Sequence, residues 1–318
     1  MNTEYFPPSL CIVVPCYNEE EALPETARTL YSLLKGMVED GDISSDSYIC
    51  FVNDGSSDKT WQVAESLMEQ SRAFRGVNLS RNFGHQGALL AGLFTAEADA
   101  YVSIDADLQD DVDAIDEMLD KFENGADIVY GVRRARDKDS FFKRFTAESY
   151  YKILKHLGAK VVFNHADFRL MSKRALDTLA EYTETNLFLR GLVPMIGYPN
   201  AVVYYDRKER LAGESKYPLS KMLALAWEGV TALSVRPIRL VTGAGVCSLF
   251  VSLALIIYSI VRLCIGATVS GWTSLMVSIW LLGGLQLLAI GIVGEYIGKI
   301  YLESKRRPRF TVDTYLKK

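Results

Sequence analysis

The sequence predicts a mostly parallel α/β domain, followed by amphipathic helices at a membrane surface and two transmembrane helices. Two observations predict the domain. Short, continuously apolar runs alternate with helical patterns up to about residue 130, and polar residues follow these runs directly. Such runs are typical of parallel strands in a sheet that is covered on both faces. A third observation predicts the transmembrane helices. No charge lies between Arg239 and Arg262 or between Arg262 and Glu295. Each stretch is long enough to cross a bilayer, which takes about 20 residues.

The composition excludes several classes of protein. The 318 residues carry a net charge of −4, which gives no reason to expect nucleic acid as a partner. The five cysteines form no Cys-x-x-Cys pair, which indicates reduced packing residues in a cytosolic compartment. The three histidines show no metal-ligand spacing, and no cleaved signal sequence is expected at the N-terminus.

Five strands are predicted in the first part of the chain. They are residues 10–15, 48–52, 77–79, 101–104 and 127–130. Helical patterns run to about Val38, begin again at Ser57 or Asp58, and continue through residues 87–92 and 112–122. No Gly-x-Gly-x-x-Gly follows the first strand and no Walker A lysine loop occurs, which disfavours a Rossmann dehydrogenase or a P-loop NTPase.

Polar side chains follow three of these strands. Tyr17 and Glu19 follow the first, Asp54 follows the second, and Asp105 and Asp107 follow the fourth. In a parallel sheet the carboxyl ends of the strands share one edge, and ligands bind there. Asp105 and Asp107 are two residues apart, so their carboxylates can converge on a hard divalent cation that also binds phosphate oxygens. The alternative is that both are solvated loop acids.

A basic and aromatic segment begins at residue 131 and continues as a predicted helix to about Leu157. It contains Arg133, Lys143 and Arg144. One interpretation is a solvated cationic face. The other is a socket for an anionic second substrate near a membrane.

Beyond this segment we expect a helix from Lys173, a helix over 186–196 and a strand over 201–205. Taken on its own, Asp167 is typical of a turn. Residues 209–216 are polar and contain glycine, as is typical of a loop. Residues 218–235 are amphipathic and precede the first uncharged stretch. This position favours a helix at the membrane interface over one packed on the domain.

The charges around the two uncharged stretches predict the topology. Arg236 and Arg239 precede the first stretch, a basic cluster from Lys299 to Arg309 follows the second, and only Arg262 lies in the link. By the positive-inside rule, the domain and both termini face the cytosol. Glycines in the second stretch permit close helix contact, within or between subunits. The alternative is a soluble protein that buries two hairpin helices.

Four segments, in this order, resemble the successive signatures of family 2 glycosyltransferases. They are Val14–Glu19, Val52–Thr60, Asp105–Gln109 and Asp167–Leu170. Within that family, the chain most resembles the polyprenyl-phosphate glycosyltransferases, which include bactoprenol glucosyltransferases and dolichol-phosphate mannose synthases. The resemblance extends over nearly the whole chain, including residues 213–217 and both uncharged stretches.

The resemblance implies a GT-A fold and inverting transfer of a sugar from a nucleotide sugar to a polyprenyl phosphate, with Mg²⁺ or Mn²⁺ as cofactor. The residues that would bind the nucleotide sugar are Pro15, Tyr17, Glu19, Asp54, Asp105 and Asp107. The metal ligands would be Asp105, Asp107 and Gln109. The acceptor phosphate would be bound by Arg133, Lys143, Arg144, Ser215 and Lys216, and Asp167 would be the catalytic aspartate.

These expectations divide the chain into a cytosolic GT-A domain (1–210), an acceptor loop with a juxtamembrane helix (211–237), a transmembrane hairpin (238–300) and a cytosolic basic tail (301–318). UDP-glucose and undecaprenyl phosphate are the expected substrates, a bacterial plasma membrane the expected location, and a homo-oligomer such as a tetramer the expected assembly. The alternative donor is GDP-mannose. A catalytically inactive membrane scaffold is the alternative of a different class. A processive polysaccharide synthase is disfavoured because no Gln-x-x-Arg-Trp sequence occurs.

Overall fold

The computed structural model describes residues 6–134, 165–184, 188–206, 236–265 and 271–317. The strands are β1 (Leu10–Cys16), β2 (Tyr48–Asn53), β3 (Phe74–Leu79), β4 (Ala100–Ser103), β5 (Ile128–Arg133), β6 (His165–Ser172), β7 (Asn200–Tyr205) and β8 (Val312–Leu316). They form one 8-stranded sheet in the order β7-β5-β6-β4-β1-β2-β3-β8.

The helices are α1 (Leu23–Asp40), α2 (Thr60–Gln70), α3 (His85–Thr95), α4 (Ala114–Glu123), α5 (Lys173–Ala180), α6 (Leu189–Leu192), α7 (Arg236–Cys264) and α8 (Trp272–Ser304), and a 3₁₀ turn spans Val193–Met195. Alternate residues of β1 enter two separate cores. Ile12 packs with α1 and α4, whereas Val13 packs with α3 and α5. The sheet is therefore covered on both faces, which is why its central strands are continuously apolar.

Parallel pairing dominates the middle of the sheet, as predicted. β1 pairs in parallel with β2 and β4, β2 with β3, and β5 with β7. The GT-A-like α/β arrangement is thus confirmed, but two strands run antiparallel. β6 lies between β4 and β5, and β8 lies on the outer side of β3.

The expectation of a turn at Asp167 is wrong, because Asp167 lies within β6. The sequence His-Ala-Asp-Phe-Arg-Leu-Met-Ser is unusually polar for a strand inside a sheet. Its charges are tolerated because they satisfy each other: Arg169 Nη2 donates to Asp167 Oδ1 at 2.7 Å. Ser103 on the neighbouring β4 also donates its hydroxyl to the carbonyl of Asp167.

β8 is not predicted from the sequence, because its residues fall in the expected basic tail. Val77 of β3 pairs with Tyr315 of β8, which places the end of the chain in the sheet. Just before β8, Arg309 Nη1 donates to the carbonyl of Tyr182 at 2.6 Å. A short connection therefore joins the end of α8 to the sheet.

Several element boundaries differ from the expectation, including those of β3 and of the helix predicted over 186–196. β3 begins at Phe74 rather than at residue 77, because Arg75 and Gly76 interrupt the apolar run without interrupting the strand. The Arg75 guanidinium lies 3.5 Å from the centroid of the Tyr48 ring, and a Cβ at Gly76 would lie 2.7 Å from Cε of Met68. The helix predicted over 186–196 is shorter, consisting of α6 and the 3₁₀ turn after it.

Helices α7 and α8 form where the two membrane spans are predicted. Within the described part of the chain, one segment is long and apolar enough to cross a bilayer, Leu281–Ser304 of α8. A shorter apolar segment, Ile238–Ser248, lies in α7. The predicted helix to Leu157, the loop over 209–216 and the amphipathic segment over 218–235 lie outside the described residues.

Candidate active site

Pro15, Tyr17 and Glu19 lie where β1 leaves the sheet. The last pair between β1 and β4 is Val13 with Ser103. Pro15 lies beyond this pair, so its missing N–H removes no hydrogen bond between the two strands. Tyr17 is 49% exposed at this edge, and the N–H of Glu19 donates to Thr60 Oγ1 at 2.8 Å. Tyr17 is thus accessible to a ligand.

Reciprocal hydrogen bonds join the loops that follow β1 and β2. The N–H of Asn18 donates to Ser56 Oγ at 3.0 Å, and the N–H of Ser57 donates to Asn18 Oδ1 at 2.9 Å. Asn18 has a φ of 55°, a left-handed conformation that asparagine tolerates better than most residues. The two loops therefore hold each other in place before any ligand binds.

Asp54 is buried and supports the segment that leads into α3. Its Oδ1 accepts a hydrogen bond of 2.6 Å from the N–H of Phe83. Burial raises the pKa of Asp54, although the backbone N–H groups of Phe83 and Gly84 oppose this effect. The predicted contact of Asp54 with a nucleotide stays a prediction.

We expect Gly55→Ala to destabilise the protein by about 2 kcal/mol or more. The added Cβ would clash with neighbouring backbone, and the alanine would have to adopt a strained φ. Gly55 has a φ of +64°, and its Cβ would lie 2.5 Å from the carbonyl carbon of Arg81. Gly41→Ala is the matched control, because Gly41 has a φ of +83° but nothing lies within 4 Å of its Cβ position. Urea unfolding of both variants measures the difference. Equal losses of stability would contradict the close approach of Gly55 to the backbone of Arg81.

Asp105 and Asp167 are brought together by His85, the first residue of α3. His85 Nε2 lies 3.6 Å from Asp105 Oδ1 and 3.7 Å from Asp167 Oδ2. Asp107 and Asp110 are also close enough to Asp105 to act on its charge. The acids predicted from β4 and from the segment around residue 167 therefore form one cluster at the carboxyl end of β4.

Two arginines bind the carboxylate of Asp167. Arg169 Nη2 lies 2.7 Å from Oδ1, and Arg190 Nη2 of α6 lies 3.1 Å from Oδ2. The Arg169 side chain is 2% exposed and that of Asp167 is 11% exposed. Both carboxylate oxygens of Asp167 are thus engaged by charged donors in a largely buried position.

The three titratable groups respond differently to this environment. Burial raises the pKa of Asp105, and the neighbouring carboxylates raise it further against the effect of His85. Burial alone would raise the pKa of Asp167, but His85, Arg190 and Arg169 outweigh it and hold that pKa well below its usual range. Burial alone would lower the pKa of His85, but Asp167 and Asp105 outweigh it and raise that pKa.

The acids fit a divalent cation that takes part of its coordination from a diphosphate. Among the described residues, no three His, Cys, Asp or Glu side chains already form a metal-binding group. Mg²⁺ is commonly held by one or two carboxylates together with substrate phosphates, which Asp105 and Asp107 can provide. Gln109 is buried, and its N–H donates to Asp107 Oδ1 at 3.2 Å. Its predicted role as a ligand stays a prediction.

Arg133 is the last residue of β5 and forms an ion pair with the buried Asp110. Its Nη2 lies 2.9 Å from Asp110 Oδ1, and the Tyr205 hydroxyl donates to the same oxygen at 2.6 Å. Asp110 is 2% exposed, whereas the Arg133 side chain is 27% exposed. Arg133 is therefore positioned by its neighbours but retains an accessible part.

The other predicted acceptor residues, Lys143, Arg144, Ser215 and Lys216, lie outside the described residues. Sequence reasoning missed five residues that the structure places around the site, namely His85, Asp110, Arg169, Arg190 and Tyr205. A signal existed for Arg169, because residues two apart in a strand share a face with Asp167. No local signal marks Arg190, which only the tertiary structure brings to Asp167.

Comparison with known proteins identifies the family. The model of the family described as "Glycosyl transferase family 2" matches residues 11–180. The chain is 51% identical to the "Uncharacterized glycosyltransferase YkoT" of Bacillus subtilis (strain 168), with 96% of this chain and 91% of that protein covered. It is 40% identical to the "Bactoprenol glucosyl transferase" of Shigella phage SfV, with 95% of this chain and 97% of that protein covered. A solved structure, mannosyl-3-phosphoglycerate synthase from Rubrobacter xylanophilus, matches with 16% identity and a TM-score of 0.49 over 71% of this chain and 72% of that one. The chain belongs to glycosyltransferase family 2, and it is an enzyme of that family.

Proposed function

We propose that this enzyme transfers glucose from UDP-glucose to undecaprenyl phosphate or a related polyprenyl phosphate. The observation that carries the proposal is the cluster of Asp105, His85 and Asp167 at the carboxyl edge of the sheet, backed by arginines. The donor and acceptor classes rest on relatives named for bactoprenol glucosyl transfer, which are 40% identical over nearly their full length.

The chemistry of a lipid phosphate acceptor suits this cluster. Asp105 and Asp107 would hold a divalent cation, which would supply Lewis-acid neutralisation of the departing nucleoside diphosphate. The acceptor needs little help from a base, because the second pKa of a phosphate monoester is about 6. Asp167 keeps its negative charge and would position Arg190 rather than accept a proton. In-line attack on the anomeric carbon would invert its configuration.

A membrane location is part of the proposal. Side chains of α8 such as Leu281, Leu287 and Ile290 are apolar and mostly exposed, as they would be if they faced lipid. We propose that α7 also spans the bilayer, with the domain and both termini in the cytosol. The exposed glycines of α8, such as Gly284 and Gly291, would allow close packing against another subunit in a homo-oligomer.

One assay tests the proposed function. The purified full-length protein is incubated in detergent with Mg²⁺ or Mn²⁺, undecaprenyl phosphate and a panel of radiolabelled nucleotide sugars. Transfer from UDP-glucose above all other donors is the expected result. Preferred transfer from GDP-mannose would reject the donor, and transfer from no donor to this lipid would reject the acceptor.

We expect Arg133→Ala to raise the KM for lipid phosphate about 10-fold or more while changing the KM for nucleotide sugar far less, because charge-assisted bonds to phosphate are strong. Arg134→Ala is the matched control, since Arg134 is the next residue and pairs with the exposed Asp206. Steady-state kinetics with each substrate varied in turn separates the two effects. Equal changes in both KM values would count against an acceptor role for Arg133.

A further inference from the structure

We propose that His85 is a ligand of the divalent cation, alongside Asp105. The inference rests on the proposed function, because it assumes a metal-supported reaction at this edge of the sheet. His85 is placed there by the fold, since Asp54 anchors the preceding residue pair Phe83 and Gly84 and α3 begins directly after them.

The spacing between the two side chains is slightly longer than that of donors sharing one ion. Atoms that each lie about 2.1 Å from a metal are about 3.0 Å apart at right angles and about 3.4 Å apart in tetrahedral geometry. His85 Nε2 lies 3.6 Å from Asp105 Oδ1. A movement of a few tenths of an ångström would therefore bring both atoms onto one ion.

Asp167 is a poor competitor for this ion, although it is equally close to His85. Arg169 and Arg190 already occupy its two oxygens. Those two positive charges would oppose a cation on Asp167, whereas Asp105 sits among other carboxylates that favour one. The ion is thus expected on the side of His85 that faces Asp105, with diphosphate oxygens completing its coordination.

A histidine ligand determines which metal is preferred. Imidazole nitrogen suits transition metals, whereas Mg²⁺ takes oxygen ligands. We therefore expect Mn²⁺ to bind more tightly than Mg²⁺ when UDP is present. Replacing His85 should weaken the binding of Mn²⁺ and leave that of Mg²⁺ almost unchanged.

Pulsed electron paramagnetic resonance tests the inference directly on the wild-type protein. Full-length protein in detergent is loaded with Mn²⁺ alone and with Mn²⁺ plus UDP, and the electron spin echo is recorded. Coupling of Mn²⁺ to a directly bound imidazole ¹⁴N is the expected result. Bound Mn²⁺ without this coupling would overturn the proposal and would assign His85 as a partner of the carboxylates only.

Two variants extend the test. His85→Gln should abolish the ¹⁴N coupling and raise the Kd for Mn²⁺ at least about 10-fold, with the Kd for Mg²⁺ changed by less than about 2-fold. His165→Gln, at the first residue of β6, is the matched histidine control and should keep the coupling. Retention of the coupling in His85→Gln would reject this residue as the ligand. Failure of the proposed function is a separate outcome, recognised by the absence of sugar transfer with either metal.

Discussion

Replacing both Asp105 and Asp107 with alanine is expected to lower the rate of sugar transfer at least about 1000-fold, the scale of losing a main electrostatic stabiliser of the transition state. The physical reason is the loss of both carboxylates proposed to hold the cation beside the diphosphate. Initial rates measured with saturating donor and with either metal give the size of the effect.

The stability of a single Asp105→Asn variant should not fall with its activity. The folded-state pKa of Asp105 is raised, so its ionised form opposes folding. For a carboxyl group with a raised folded pKa, the stabilising contribution is present at low pH and is lost as the pH rises through that value. At pH 7 the neutral asparagine is therefore expected to leave the Tm unchanged or to increase it, which a thermal melt will show.

Asp113→Ala is the matched control for the double variant. Asp113 lies in the same segment after β4, immediately before α4, and its side chain is exposed. We expect it to retain full activity with either metal. Sugar transfer that survives in the double variant at more than about a tenth of the wild-type rate would reject the metal assignment, because loss of a main electrostatic stabiliser costs far more.

The parallel core of the fold could be predicted because each strand there is buried on both faces. β1, β2 and β4 are short apolar runs in the sequence. The residues after them lie at one edge of the sheet, because parallel strands end at the same edge. The position of Asp105 and Asp107 at this edge of the sheet therefore followed from local sequence alone.

The antiparallel strands could not be predicted in the same way. β6 carries Asp167 and Arg169, so its hydropathy does not indicate a buried strand. The two charges are tolerated there because they form an ion pair with each other, which only the structure shows. β8 follows a helix of 33 residues and pairs with β3, a contact between segments that lie far apart in the sequence. His85 and Arg190 come to Asp167 from α3 and α6, and no spacing in the sequence encodes that meeting.

Asp167→Asn is expected to lower kcat by about 100-fold or more, comparable with removing one electrostatic group from an active site. The carboxylate of Asp167 holds Arg190 at the edge where we propose that the leaving group departs. An asparagine keeps one acceptor oxygen but loses the charge and one of the two engaged oxygens. Single-turnover measurements isolate this loss from effects on product release.

The same variant should also be less stable, because removing one partner of a buried ion pair costs about 3–5 kcal/mol. Asp127→Asn separates stability from activity. Asp127 is likewise paired with an arginine and accepts a hydrogen bond of 2.8 Å from Ser172 Oγ, but it precedes β5 at the opposite edge of the sheet. We expect Asp127→Asn to lose stability and to retain kcat. A loss of kcat as large as that of Asp167→Asn would show that destabilisation alone explains both.

The dependence on pH distinguishes a fixed charge at Asp167 from a general base. Since the folded-state pKa of Asp167 is held well below its usual range, its stabilising contribution is complete above the unfolded value of about 3.9 and is lost as the pH falls through the lower folded value. The Tm difference between wild type and Asp167→Asn should therefore shrink below about pH 4. It should also decrease as the pH rises above about 6.5, the unfolded value for histidine, because Asp167 raises the pKa of His85 and that stabilisation is lost as His85 deprotonates. The wild-type rate should show no inflection from Asp167 above pH 5. An inflection near neutral pH that vanishes in Asp167→Asn but persists in His85→Gln would mean that Asp167 exchanges a proton during transfer.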